Sequence, residues 1–240
     1  GMRRTISDKL IDVVAPILKE NGLKLLPIYL GIPKDVKVDP TASNAWAEMP
    51  FDERGHEGWR RNVVAWTTKL KDVVDRYEIW NEPNITSFNK FLDKCQGDVY
   101  TEVCRIAKEE IDKIDPGSIL GGPSITGITI TATWDEAGKP YFDDCMDKGM
   151  WKYVDALVLH PYTSNSAEKA DMITSMKYYQ DEFTKVGKPN AEVWNTETGY
   201  TTVDKTIGSE KVKGMYNSRA ALLYKINHVS DLTVFYNFEK

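Results

Sequence analysis

Tyr77-Glu-Ile-Trp-Asn-Glu-Pro-Asn84 and Glu192-Val-Trp-Asn-Thr-Glu-Thr-Gly199 are the two stretches from which the rest of the chain can be read. Each begins with the β-branched and aromatic residues of a short strand and ends in turn-forming residues. Each delivers one carboxylate, Glu82 or Glu197, at the strand's C-terminal end.

Outward from these runs, strand and helix signals alternate. Towards the N-terminus, a helix over 7–20 carries Ile6, Leu10, Val13 and Ile17 on one face, with Pro16 inside it, and Asn21-Gly22 closes it. The apolar run 24–30 ends at Gly31 and reads as a buried strand. A long polar loop over 31–50 carries Trp46 and precedes a helix reaching Asp75. On that helix Trp59, Val63, Trp66, Leu70 and Val73 have helical spacing, which makes both tryptophans core residues rather than sugar platforms. Beyond strand 77–80, a helix over 98–114 is stopped by Asp115-Pro-Gly117. Strand 118–124, helix 141–148, strand 155–162, a helix from Met172 to Gly187, strand 191–196, helix 209–229 and strand 232–238 complete the order.

This alternation is that of parallel βα units, here one α/β domain over 1–240 built as a TIM-type barrel. In such a barrel the C-terminal ends of the strands share one rim, where active sites form. Tyr29, Glu82, Pro123, His160, Tyr162, Glu197 and Tyr236 all fall at that rim.

Composition narrows the function. A net charge of −5 with no dense Lys/Arg block argues against nucleic-acid binding. No apolar run approaches the roughly 18 residues of a membrane helix. The three cysteines, Cys95, Cys104 and Cys145, have no ligand-like spacing, and Cys104 reads as a core residue within a helix. The scattered His56, His160 and His228 suggest no metal site, and no cofactor is expected. Gly1-Met2 resembles the scar of a cleaved tag, and without a signal peptide localisation stays open.

Two carboxylates at the ends of two separate strands suit the cleavage of an acetal. One donates a proton to the leaving oxygen, and the other stabilises or traps the charge growing on the anomeric carbon. A carboxyl that acts as an acid near neutrality needs a raised pKa, which a second ionised carboxylate can supply. Trp80 shares the strand parity of Glu82 while Trp194 does not share that of Glu197, so alternation does not settle which indole faces a cleft. Taken alone, Asn81-Glu-Pro83 also fits a helix start and turn.

Ile79-Trp-Asn-Glu-Pro-Asn84 resembles the acid/base motif of the clan of retaining (β/α)8-barrel glycoside hydrolases, and Trp194-Asn-Thr-Glu-Thr-Gly199 resembles its nucleophile strand. Gly121-Gly-Pro123 and His160-Pro-Tyr162 look like strands five and six of that clan, and the combination is most similar to the β-xylosidase/α-iduronidase-like family. The resemblance implies that Glu82 is the acid and then the base, that Glu197 is the nucleophile, and that Asn81 binds the sugar 2-hydroxyl. It implies further that His160 and Tyr162 line the subsite and that Tyr236 stacks beneath the sugar ring. Trp46 is a sugar platform or a loop anchor. The implied partner is a poly- or oligosaccharide, in a secreted or cell-surface setting.

If Glu82 ends strand four, then 24–30 is strand three, and the first two strands have no candidates. The arginine that commonly supports the nucleophile from strand two has no counterpart either. An incomplete barrel of strands three to eight is therefore expected, with open edges at 24–30 and 232–238 that favour self-association. A fragment, a natural truncation and complementation by a second chain are all compatible with that pattern. Two functions compete: a retaining glycosidase, whose glutamates must lie about 5 Å apart, and a non-catalytic carbohydrate-binding relic of such a barrel.

Overall fold

The computed structural model describes residues 8–94, 96–132, 137–168, 171–202 and 207–236. Ile6, Cys95, Trp134, the Gly1-Met2 start and the end of the 232–238 run lie outside them. Six strands form one sheet: β1 (Ile28–Tyr29), β2 (Arg76–Ile79), β3 (Ile119–Ile125), β4 (Ala156–Leu159), β5 (Val193–Thr198) and β6 (Leu232–Phe235). They lie side by side in chain order, and every adjacent pair is parallel. The helices are α1 (Asp8–Glu20), α2 (Glu53–Leu70), α3 (Gly97–Ile114), α4 (Gly138–Asp147), α5 (Met172–Lys185) and α6 (Glu210–Ile226). The result is a curled, open part of a (β/α) barrel, as the alternation of signals implies.

Local chemistry sets the ends of the elements. Asp52 accepts a hydrogen bond from the Gly55 amide at the start of α2, and Ser209 accepts one from Val212 at the start of α6. Gly22 (φ +64°) closes α1, where the amides of Gly22 and Leu23 return to the carbonyls of Lys19 and Leu18. The 24–30 run is shorter as a strand than its apolar character implies. Only Ile28 and Tyr29 join the ladder, with a single bridge at Leu25, because Pro27 offers no amide hydrogen. Helix α2 ends at Leu70 rather than Asp75, and a turn leads into β2.

The main core lies between the outer face of the sheet and the helices. Trp59 of α2 is buried there and donates to the Val103 carbonyl, as its helical spacing implies. Helix α2 packs on α3, and α3 on α4. Cys104 and Cys145 are buried as free thiols, and burial pushes Cys104 up to about 12. Helix α1 departs from expectation: Ala15 and Leu18 meet the core, while Val13 and Ile17 are exposed.

A smaller cluster fills the concave face, where Ala156, Val158 and Trp194 pack with Leu26, Ile119 and Leu232. Gly121 makes room for it, since a Cβ there would meet Trp194 at 2.4 Å and Val158 at 2.5 Å. Below this cluster Arg76 forms a two-point ion pair with Glu192 across the sheet (3.0 and 2.8 Å), and the Trp194 indole donates to Glu192 as well. On the edge strands, two-residue periodicity puts Ile28 and Val234 on the same concave side as Leu26 and Leu232. They remain 38% and 41% exposed.

Gly121→Ala should therefore lower stability by about 1–3 kcal/mol through overpacking. Gly214→Ala, in α6 with open space around it, should raise stability by about 0.5–1 kcal/mol. Urea unfolding midpoints of the two variants against the parent check both signs.

Candidate active site

The backbone after β2 is bent before any side chain is considered. Trp80 and Glu82 have φ of +65° and +42°, unfavourable for residues other than glycine by about 1–2 kcal/mol each. Neighbouring contacts hold the bend. The Trp80 amide donates to Tyr29 O, the Glu82 amide to Ser124 O, and the Trp80 indole to Phe88 O. Asn84 exchanges two hydrogen bonds with the backbone of Thr126, and Asn89 donates to Pro83 O. The Asn-Glu-Pro-Asn string is thus a turn stitched to the exit of β3.

This turn carries Glu82 into a polar group at the rim. His160 directly follows β4 and is fully buried. Its Nδ1 lies 3.2 Å from Glu82 Oε1, and its Nε2 lies 3.0 Å from Thr196 Oγ1 and 3.4 Å from Glu78 Oε1. The Tyr162 hydroxyl donates to Glu197 Oε2 at 3.2 Å. One donor atom each from Glu82, His160 and Glu197 lie within 4.8 Å of one another. A cation could in principle sit among three such atoms, but both ring nitrogens of His160 already face protein partners. The arrangement suits proton transfer better than metal ligation.

Burial alone would lower the His160 pKa. The carboxylates of Glu78 and Glu82 at its two nitrogens, with Glu197 beyond, overcome that and raise it to about 9. The Tyr162 phenol is pushed up, first by burial and then by the charge of Glu197.

The remaining candidates are distributed as follows. Asn81 is buried with its Nδ2 lacking a protein partner. Tyr236 stands at the end of β6, its amide bonded to Thr198 O and its side chain exposed. Trp46 sits in a short 3-10 turn and packs edge-on against Phe88, half-exposed. Tyr29 points away from the concave side: its hydroxyl meets Thr67 of α2 and its ring meets Tyr77. The parity of the tryptophans is also settled. Trp194 fills the concave face, whereas Trp80 packs on Trp59 in the helix layer. The positive φ at Trp80 and Glu82 breaks the alternation that would have put both on one side.

Glu78 and Thr196 were not among the sequence candidates, yet both contact His160. The available signal for Glu78 was its charge between Tyr77 and Ile79-Trp80 in the expected strand 77–80. Its position two residues after Arg76 puts it on the concave side.

No family model matches the chain. A β-xylosidase of Geobacillus stearothermophilus is 30% identical over 146 residues, covering 57% of this chain and 26% of that protein. A family 39 glycoside hydrolase from Bacteroides cellulosilyticus superposes over 98% of this chain and 47% of its own, with a TM-score of 0.69 at 18% identity. A monomeric β-xylosidase from Caulobacter crescentus does so over 97% of this chain and 48% of its own, with a TM-score of 0.65 at 18% identity. The chain is thus related to β-xylosidase-like proteins and shares their (β/α) barrel fold. It spans less than half of each of these two solved structures and about a quarter of the curated relative.

Because the pKa of His160 is raised on folding, its protonation stabilises the folded state fully below about pH 6.5 and ceases to do so as pH rises through about 9. His160→Asn cannot titrate. The stability difference between parent and variant should shrink across that interval, as denaturant unfolding at successive pH values would report.

Proposed function

We propose that the chain carries the site of a retaining glycosidase of the β-xylosidase-like kind, acting on an oligo- or polysaccharide. The observation that carries this is the approach of Glu82 and Glu197, which bring one carboxylate oxygen each within 4.8 Å of the other. Double displacement uses carboxyl groups about 5–5.5 Å apart, whereas inversion leaves room for a water at about 6.5–9.5 Å.

In this mechanism Glu82 protonates the glycosidic oxygen while Glu197 attacks the anomeric carbon. The leaving group departs, and a glycosyl–Glu197 ester remains. Glu82, now a carboxylate, takes a proton from water as that water attacks the same carbon, which releases the sugar with net retention. Tyr162 orients the Glu197 carboxylate through its hydroxyl. The unpartnered Nδ2 of Asn81 offers a hydrogen bond to the sugar 2-hydroxyl. Tyr236 and Trp46, exposed near the rim, are the aromatic surfaces on which sugar rings can stack. The chemistry requires no cofactor. The name of the curated relative makes β-xylosides the first substrates to test.

A second reading is supported by the exposure of Ile28 and Val234, which leaves the concave side open along both sheet edges. A cleft of that shape can hold carbohydrate without turning it over.

Glu82→Gln should slow cleavage of a substrate with a poor leaving group by about 10²–10⁴-fold and of an activated aryl glycoside far less. Glu197→Gln should abolish both. Steady-state rates on the two substrate types, with product configuration followed by NMR, check this. Equal and mild losses would remove the assignment, and saccharide binding without any turnover would favour the second reading.

A further inference from the structure

Glu78 is a carboxylate with no exposure to solvent. Its Oε1 accepts from the Thr196 hydroxyl at 3.1 Å and lies 3.4 Å from His160 Nε2, while its Oε2 has no protein partner. A buried carboxylate without a counter-charge is strongly disfavoured. On the concave side Arg76 is already engaged with Glu192. His160 is the cationic partner within reach, and its other nitrogen faces Glu82.

We propose that Glu78 is a positioning residue for Glu82 that acts through His160: its charge holds the ring as an imidazolium, so that Nδ1–H donates to Glu82 while Nε2–H is anchored below. The proposal rests on Glu82 being the acid/base. The charged and titratable groups facing this ring are Glu78 and Glu82 from β2 and its exit, and Glu197 from β5. Tyr162 beside the ring is bonded to Glu197, and Tyr236 at the end of β6 adds to the field at Tyr162. The cation sits closer to Glu82 than Glu78 does in the hydrogen-bonded chain. Its Nδ1–H holds the Glu82 carboxyl in place by a charge-assisted hydrogen bond. The carboxyl that gives up a proton in the first step and regains it in the second is thereby fixed in position.

Glu78→Gln separates charge from shape. The amide can donate to Nε2, leaving Nδ1–H directed at Glu82, but the ring loses its counter-charge. NMR titration of the His160 ring should show its midpoint falling from about 9 to the ordinary histidine range or below. The basic limb of the kcat/KM profile should move up by about one pH unit or more as Glu82 loses its cationic neighbour. Glu78→Asp, which keeps the charge, should leave the midpoint high and the basic limb in place. A parent midpoint at or below the ordinary histidine value overturns the proposal without any variant, as does a midpoint that Glu78→Gln leaves unmoved. A fallen midpoint with an unmoved basic limb removes the link to Glu82. The ring titration needs no turnover. An inactive parent would therefore sink the glycosidase assignment while still reporting on the charge of His160.

Discussion

The side-chain column down the concave face is the constraint on which the rest of this structure depends. Trp194 lies across the middle of the sheet, in space that exists because Gly121 has no side chain and Val158 and Ala156 are small. Below it, Arg76 and Glu192 tie β2 to the start of β5. Above it, Glu78 and Thr196 occupy the next inward positions of the same two strands. Alternation then fixes what the rim can contain. With the indole as a dry floor, the polar residues above it are screened from water on one side and can interact strongly with one another.

Above that floor, the site gathers carboxylates of one sign around a single imidazole. Glu78 and Glu82 meet its two nitrogens, and Glu197 lies just beyond. Together they hold the His160 pKa above its ordinary range against the opposing effect of burial. The backbone supports the same geometry. Two unfavourable φ values in the β2 exit are held by Asn84, by Phe88 O through the Trp80 indole, and by the Ser124 carbonyl. These residues fix where Glu82 can go.

Much of this was legible in residue order. Alternating strand and helix signals, glycine stops and the spacing of buried faces gave the parallel order and the placement of all six strands. The rim residues followed from strand ends alone, and Glu82, His160, Tyr162 and Glu197 do converge. Three kinds of feature were not legible. The positive φ at Trp80 and Glu82 breaks the two-residue period, so parity cannot place the Trp80 side chain. Tyr29 looked like a rim residue, but its strand faces it towards α2. The helical spacing of α1 implied one buried face, yet Val13 and Ile17 on it are exposed, because periodicity reports a shared face and not what packs on it. Glu78 escaped notice because a single charge in a short strand is usually read as a surface position, and its partners, His160 and Thr196, lie about 80 and 120 residues away in sequence.

The two described cysteines have a consequence of their own. Cys104 and Cys145 lie where α3 and α4 pack, out of contact with solvent, and burial raises both thiols well above their ordinary range. Thiolate, the form that oxidants and alkylating reagents attack, is therefore both scarce and shielded while the fold is intact. The folded protein presents the same chemistry at these two positions in an oxidising or a reducing medium. Labelling of either sulfur would act as a clock for opening of the helical layer.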